Sequence, residues 1–590
     1  MTQEQDKDFY IKAVDVWRTE NLLGYILRDI ETRAKKDVPV KVSVLCTAIS
    51  SFLKSDPINL FLKGESSSGK TFNTVQVLKY FDESDIWFLG GMSPQALARD
   101  HGLLLNKNGE EIDIDARPVK PRRKGFDNED DFNKAMENYT EDMKARREQL
   151  KDAYTLIDLS HKILVFLESP HIETFMMLRP ILSHDKEEIE YRFAAKTSSG
   201  DWRTKKARLR GWPATIFLTT DVKYVEELAT RSFTTTPEVT EEKILEANAL
   251  TNRKVSVPWL YDAPTEAFQI ITMLMQNLRN HCQTENLDIV PPFLNLYELF
   301  PKEIARDMRD FAHFTQLLKA ITLPNYYQRP FLVTPETKQK LIVCSMADVQ
   351  KAYSIYKEIF ETTRTGTEKR ILDFYHKVVK KKDAWYLKEL TFKYNETAKR
   401  PLSEERIRVM MARLDEIGYV NTQKGDDPED KRLNIYRPLM KGEKATTPLN
   451  LETWTDLEAK LRKGFEMWKN NILVGTQVYV NKNISETQWG EVQVSIDDLE
   501  KYVFKEVNTA ADQTEISSRN QGETRIVDKP KTGLELEKQP SDKHVDEIRT
   551  DVDIPERMIP CLECKAKGKR SFFATDADLA AHMRTWHEGR

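Results

Sequence analysis

The chain has 590 residues, 40% of them hydrophobic and 31% charged, with a formal net charge of −4 at pH 7. That length exceeds what one hydrophobic core accommodates and implies several domains, while the near-neutral balance excludes a uniformly basic nucleic-acid coat and confines any such contact to local patches. No apolar run nears the ~20 residues that span a bilayer, and the N-terminus is too polar and acidic for a signal peptide, so the expectation is a cytoplasmic chain with no membrane partner. Residues 1–56 carry Phe9, Ile11, Val14 and Trp17, then Leu22, Leu23, Ile26, Leu27 and Ile30, at spacings near three and four, which predicts helices. Short β-like runs at Ile58–Leu62, Ile86–Leu89, Ile163–Leu167 and Thr215–Leu218 then alternate with helical stretches, so residues 57–235 predict an α/β unit with a parallel sheet. A charged insertion at 106–155 separates the second and third runs, and its later part, around Phe132–Leu150, reads as a solvated helix.

Directly after the first run, Gly64-Glu65-Ser66-Ser67-Ser68-Gly69-Lys70-Thr71 matches G-x-x-x-x-G-K-[ST] in full. Chemically this is a triphosphate cradle. The glycines let successive N–H groups point at phosphates, Lys70 supplies charge for the β and γ phosphates, and the Thr71 hydroxyl ligates Mg²⁺. A helix starting near Lys70 adds the positive end of its dipole. The third run ends in Glu168, which makes it the expected catalytic base or metal support, although a single carboxylate stands there rather than an Asp-Glu pair. The fourth run ends in Thr219 and Thr220, polar tips placed to sense a γ phosphate, and Arg231 follows as a candidate finger for a neighbouring subunit's nucleotide.

This order of phosphate loop, apolar strand with Glu, polar-tipped strand, arginine and a helical lid at 236–362 resembles the AAA+ ATPases. The resemblance covers roughly residues 20–362. It implies a homo-oligomeric ring, often a hexamer, with ATP and Mg²⁺ between subunits, and makes Arg306 and Arg309 candidates for the second sensor arginine. Between Glu168 and Thr219, Ile189–Phe193 and Arg208–Arg210 read as strands of a hairpin (189–210) with a turn near 196–202. Lys196, Arg203, Lys205, Lys206, Arg208 and Arg210 concentrate positive charge there, a pattern suited to nucleic-acid phosphates. Its position is similar to that of the channel hairpin of ring helicases of the MCM and superfamily 3 type.

The remainder divides further. Residues 367–439 give helix, helix, helix, hairpin, the order of winged-helix domains. Arg406, Arg408 and Arg413 are expected to face outward from the third helix, and Lys424, Lys431 and Arg432 lie on the wing, which suits major-groove insertion with phosphate contact. Residues 440–503 are mixed, and 504–556 are polar and almost free of aromatics, a disordered tether by composition. In 557–590, Cys561-x₂-Cys564 and His582-x₄-His587 bracket Phe573 and Leu579, a Zn²⁺ ligand set for a small ββα finger with a lengthened first loop. The sequence thus predicts a DNA-dependent ATPase, a helicase or translocase on single-stranded, forked or duplex DNA and hence nucleoid-associated, serving replication of a plasmid, virus or integrated element. The alternatives are an initiator or loader that uses ATP as an assembly switch, or an ATP-gated transcription regulator.

Overall fold

A computed structural model describes residues 3–19, 21–55, 57–90, 102–113, 116, 118–168, 172–196, 202–219, 232–261, 263–285, 287–300, 306–398, 401–424, 434–439, 454–485, 488–505, 559–560 and 572–573. The chain forms two compact units, one of Asp15–Val480 and Gln493–Val503, the other of Met1–Val14, Asn481–Val492 and Phe504–Arg590. Helix α1 is Gln3–Trp17, and in the first unit helices α2 (Leu22–Arg33) and α3 (Val38–Ser50) precede strand β1 (Asn59–Lys63), the phosphate loop and helix α4 (Lys70–Leu78). Every residue from Val40 to Ser50 is buried, because α3 is covered on several sides by β1, the strand 214–219, α4 and the helix 306–322. A helix apolar around its circumference belongs inside a fold, so the expected helical preface is here part of the core.

Next come β2 (Ile86–Leu89), β3 (Leu103–Leu105), helix α5 (Glu129–Gln149), β4 (Tyr154–Asp158), β5 (Ile163–Phe166), helix α6 (Ile172–Leu182), β6 (Glu188–Lys196), β7 (Trp202–Arg210), β8 (Ala214–Thr219) and β9 (Phe233–Thr235). The central sheet has the order β2-β5-β8-β1-β9, all pairs parallel. All residues of β1, β5 and β8 are buried, as a parallel sheet covered on both faces requires. Phe217 stacks between Phe61 at 4.6 Å and Phe166 at 4.8 Å, joining three adjacent strands. Truncating such a ring to alanine costs about 3–5 kcal/mol. Helix α5 buries none of its residues, in keeping with the solvated helix expected there.

The 189–210 element is a hairpin, β6 against β7, in a second sheet of order β3-β4-β7-β6. It is not a loose arm at its base. Ile157, Leu159, Ala207 and Leu209 share one core with Phe61, Phe166, Leu178 and Phe217, and the Tyr191 hydroxyl donates to the Met177 carbonyl on α6.

Beyond β9 the chain departs from the wholly helical expectation for 236–362. Helices α7 (Glu241–Ser256) and α8 (Glu266–Thr284) are followed by β10 (Leu287–Val290), α9 (Arg306–Thr322), β11 (Phe331–Val333), β12 (Lys340–Val343) and α10 (Met346–Thr365). Strands β10 and β12 are parallel, and β12 and β11 antiparallel. Three- and four-residue apolar runs between long helices carry too little periodicity to separate strand from helix, which is why they were not legible. Helices α9 and α10 pack on α3 and β9, with Phe233 in ring contact with His313 and Tyr356, so this segment is continuous with the central sheet.

Residues 367–439 fold as α11 (Lys369–Lys377), β13 (Trp385–Tyr386), α12 (Leu387–Thr397), α13 (Glu404–Glu416), β14 (Val420–Lys424) and β15 (Asn434–Pro438), with strand order β13-β15-β14 around their own apolar core. The 440–503 segment then supplies helix α14 (Trp454–Lys469) and strand β16 (Gln477–Ser485). Val478 and Tyr479 of β16 pair with Leu332 and Phe331 of β11, and the Leu294 amide and Asn295 side chain bond to the Gly464 and Lys460 carbonyls of α14. In the second unit, Ile559–Pro560 pairs antiparallel with Phe572–Phe573.

Candidate nucleotide site

The site is built at the carboxyl end of β1. Gly64 (φ +153°) and Gly69 (φ +93°) take backbone conformations that L side chains rarely adopt, and Ser67 is left-handed with φ +64°. Gly69 is also the N-cap of α4, so the first N–H groups of that helix lack intrahelical partners and face the loop end. The Lys70 ammonium lies across the loop, donating to the Gly64 and Glu65 carbonyls at 2.7 and 2.8 Å. Burial holds its pKa below the usual lysine value, opposed by the charge of Glu368. Thr71 is exposed on the first turn of α4.

The other strand-end residues line up by register. Lys63 of β1 pairs with Thr219 of β8, and Phe166 of β5 pairs with Phe217. Glu168, two residues past Phe166, therefore extends toward the level of Thr219, and it is exposed while Thr219 is buried. Thus the loop, Glu168 and Thr219 share the carboxyl edge of three neighbouring strands, the usual ligand edge of an open parallel sheet. Thr220 and Arg231 lie outside the described residues, as does the side chain of Arg306, while Arg309 is exposed on α9.

Sequence reading missed the strap that follows α10. The Lys63 ammonium donates to the Gly366 carbonyl at 2.7 Å, Arg370 forms an ion pair with Glu65 at 2.6 Å, and Glu368 is close enough to Lys70 to influence its titration. Burial raises the Glu368 carboxyl, helped by Glu65 and opposed by Arg370, Lys63 and Lys70. So Arg370, at the start of α11, reaches the loop although Arg306 and Arg309 were the arginines singled out. A second missed group stands behind the loop: Asp37, Asn73, Glu238 and Lys243.

The elements expected to meet nucleic acid need correction. In the hairpin register Glu190 faces Arg208 and Glu188 faces Arg210, with ion pairs at 3.2 and 3.3 Å, and Lys206 pairs with Asp152 at 2.9 Å. The predicted patch is therefore charge-balanced at its base. Lys206, Arg208 and Arg210 alternate with buried Ala207 and Leu209 along β7 and so share the face away from that core, while the side chains of Lys196, Arg203 and Lys205 lie outside the described residues. Lys196 is directly opposite Trp202.

On α13, Arg406 and Arg408 are exposed, Arg408 pairing with Glu405 at 2.5 Å. Arg413 does not face outward. It is bonded to the Thr367 hydroxyl at 3.1 Å and to the Thr365 and Gly366 carbonyls at 3.3 and 3.4 Å, because the strap covers that side of the helix. Arg413→Ala is therefore expected to lower stability by about 1–3 kcal/mol through stranded acceptors. A lower midpoint in chemical denaturation checks this. Lys424 is exposed on β14, and Lys431 and Arg432 lie outside the described residues.

No group of three or more His, Cys, Asp or Glu side chains arranged for a metal occurs among the described residues, and Cys561, Cys564, His582 and His587 lie outside them. Among the described residues no helix is long and apolar enough to cross a membrane.

The chain matches no protein-family model and no curated protein.

Proposed function

We propose that the chain is an ATP-hydrolysing, DNA-dependent motor of the AAA+ type, acting as a ring helicase or translocase in replication of a plasmid, virus or integrated element. The observation that carries this reading is the full phosphate loop at the end of the second-to-edge parallel strand, with the Glu168 strand separated from it by β8, whose tip is Thr219. In this reading the γ phosphate and the attacking water take the carboxyl edge between loop and carboxylate. In the proposed cycle Lys70 and the loop amides hold the triphosphate, Thr71 ligates Mg²⁺ and Glu168 orients water. Thr219 and Thr220 sense the γ phosphate, and Arg231 of an adjacent subunit spreads over the transferring group, with Arg306 and Arg309 as further nucleotide contacts. The hairpin and the helix-helix-helix-hairpin domain 367–439, read as a winged helix, engage DNA.

Strand displacement from a labelled fork by wild type and Lys70→Ala tests the proposal. ATP-dependent release by wild type alone supports it, and ATP turnover without release overturns the helicase reading. The ion-paired base of the hairpin favours one alternative, an initiator or loader that uses ATP to assemble on DNA without processive unwinding. For the C-terminal module we propose a Zn²⁺ site at Cys561, Cys564, His582 and His587, since two thiolates and two imidazoles at this spacing make a tetrahedral Zn²⁺ ligand set. One zinc per chain by atomic absorption, lost in Cys561→Ser with Cys564→Ser, is the expected result.

A further inference from the structure

We propose that Lys243, held by Asp37, sets the shape of the phosphate loop and is a positioning residue for nucleotide binding. The inference rests on reading residues 64–71 as a triphosphate site. Lys243 is near the start of α7, and its ammonium donates to the Ser68 carbonyl at 2.9 Å and the Glu238 carbonyl at 2.8 Å, and pairs with the Asp37 carboxylate at 2.5 Å. An ammonium has three protons, so these three acceptors use all of them. Lys243 is therefore not a phosphate ligand, and it acts through the loop backbone. In a planar trans peptide the C=O and N–H point in opposite directions. With the Ser68 carbonyl fixed on Lys243, the Gly69 N–H is turned to the other side, toward the loop end where phosphates bind.

Asp37 is organised to hold this lysine. Its side chain is fully buried, one oxygen accepting from the Glu238 amide at 2.7 Å and the other from the Asn73 side chain of α4 at 2.6 Å as well as from Lys243. Lys36 and Asp37 are consecutive non-glycine residues in the left-handed region, with φ of 59° and 58°. Such backbone costs about 1–2 kcal/mol per residue and persists where its surroundings impose it. Lys36 is held in turn by Glu242 at 2.8 Å and Glu246 at 3.2 Å on α7. One network thus joins the turn before α3, the last loop residues, α4 and α7.

The test is titration of the full chain with fluorescent ATP and ADP analogues, alongside thermal unfolding. Lys243→Met is expected to weaken both nucleotides roughly 10- to 100-fold, since small misplacements of a positioning scaffold have effects of that order. It also strands Asp37 and lowers the unfolding midpoint. The Asp37→Asn/Lys243→Met double variant removes both buried charges, so the midpoint recovers while the weak nucleotide binding stays. Wild-type affinity in the double variant would show the pair to be structural only and overturn the proposal, as would wild-type affinity in Lys243→Met. Should the single variant not fold, the double variant decides alone. If the wild-type chain binds neither analogue, the triphosphate reading fails first, and this inference with it.

Discussion

Lys70→Ala is expected to cut ATP turnover by roughly 100- to 1,000-fold, the usual cost of removing one preorganised electrostatic group from a reacting phosphoryl centre. The ammonium already lies over the loop, bonded to the Gly64 and Glu65 carbonyls, so it has only to exchange those neutral acceptors for phosphate oxygens. Its partial burial strengthens that exchange, because a charge–charge contact gains as water is excluded. Arginine is a poor substitute, being planar and broader than the compact ammonium that the loop encloses. Steady-state phosphate release measured with and without DNA checks the prediction. Turnover close to wild type in a folded Lys70→Ala protein would remove the loop from the chemistry.

Glu168→Gln is the second large effect, and its signature differs. The change keeps the side chain's size but removes the proposed base, so hydrolysis is expected to fall by roughly 100- to 10,000-fold while ATP affinity is kept. The wild-type strand has no neighbouring aspartate to take over, since Leu167 precedes Glu168. Its backbone is committed to the sheet edge, the Leu167 amide donating to the Leu89 carbonyl, which fixes where the next side chain emerges. Single-turnover hydrolysis with a parallel nucleotide-binding titration separates the two parameters. Loss of both together would mean that Glu168 serves binding and not the chemical step.

How much was legible depended on whether the signal was local. Runs such as Ile163–Phe166 and Ala214–Leu218 are continuous and apolar, so their burial in a parallel sheet follows from composition, and the loop after β1 is a single contiguous pattern. The hairpin could be read from its two strands. Its charge balance is not a local signal, because only the register places Glu188 opposite Arg210 and Glu190 opposite Arg208. Likewise, Ile407, Met410, Met411 and Leu414 recur at helical spacing and form the buried stripe of α13, but no local pattern shows that the strap 365–367 lies over Arg413. The Asp37–Lys243 pair joins residues far apart in sequence, and no local pattern marks either beyond Pro39 at the start of α3.

Strand β16 gives the molecule a constraint that a linear list of domains conceals. The chain leaves the β10–β12 sheet through α10, builds the domain 367–439, and returns to add a strand beside β11. That domain is consequently an excursion with both stems fastened to the same body, one at the strap over the phosphate loop and the other at a sheet edge. A body held at two stems pivots about the line between them instead of swinging on a single tether. Cutting the gene after Pro438 would accordingly uncover the hydrogen-bonding edge of Phe331–Val333, leaving a sticky ledge where a tidy ATPase core was intended.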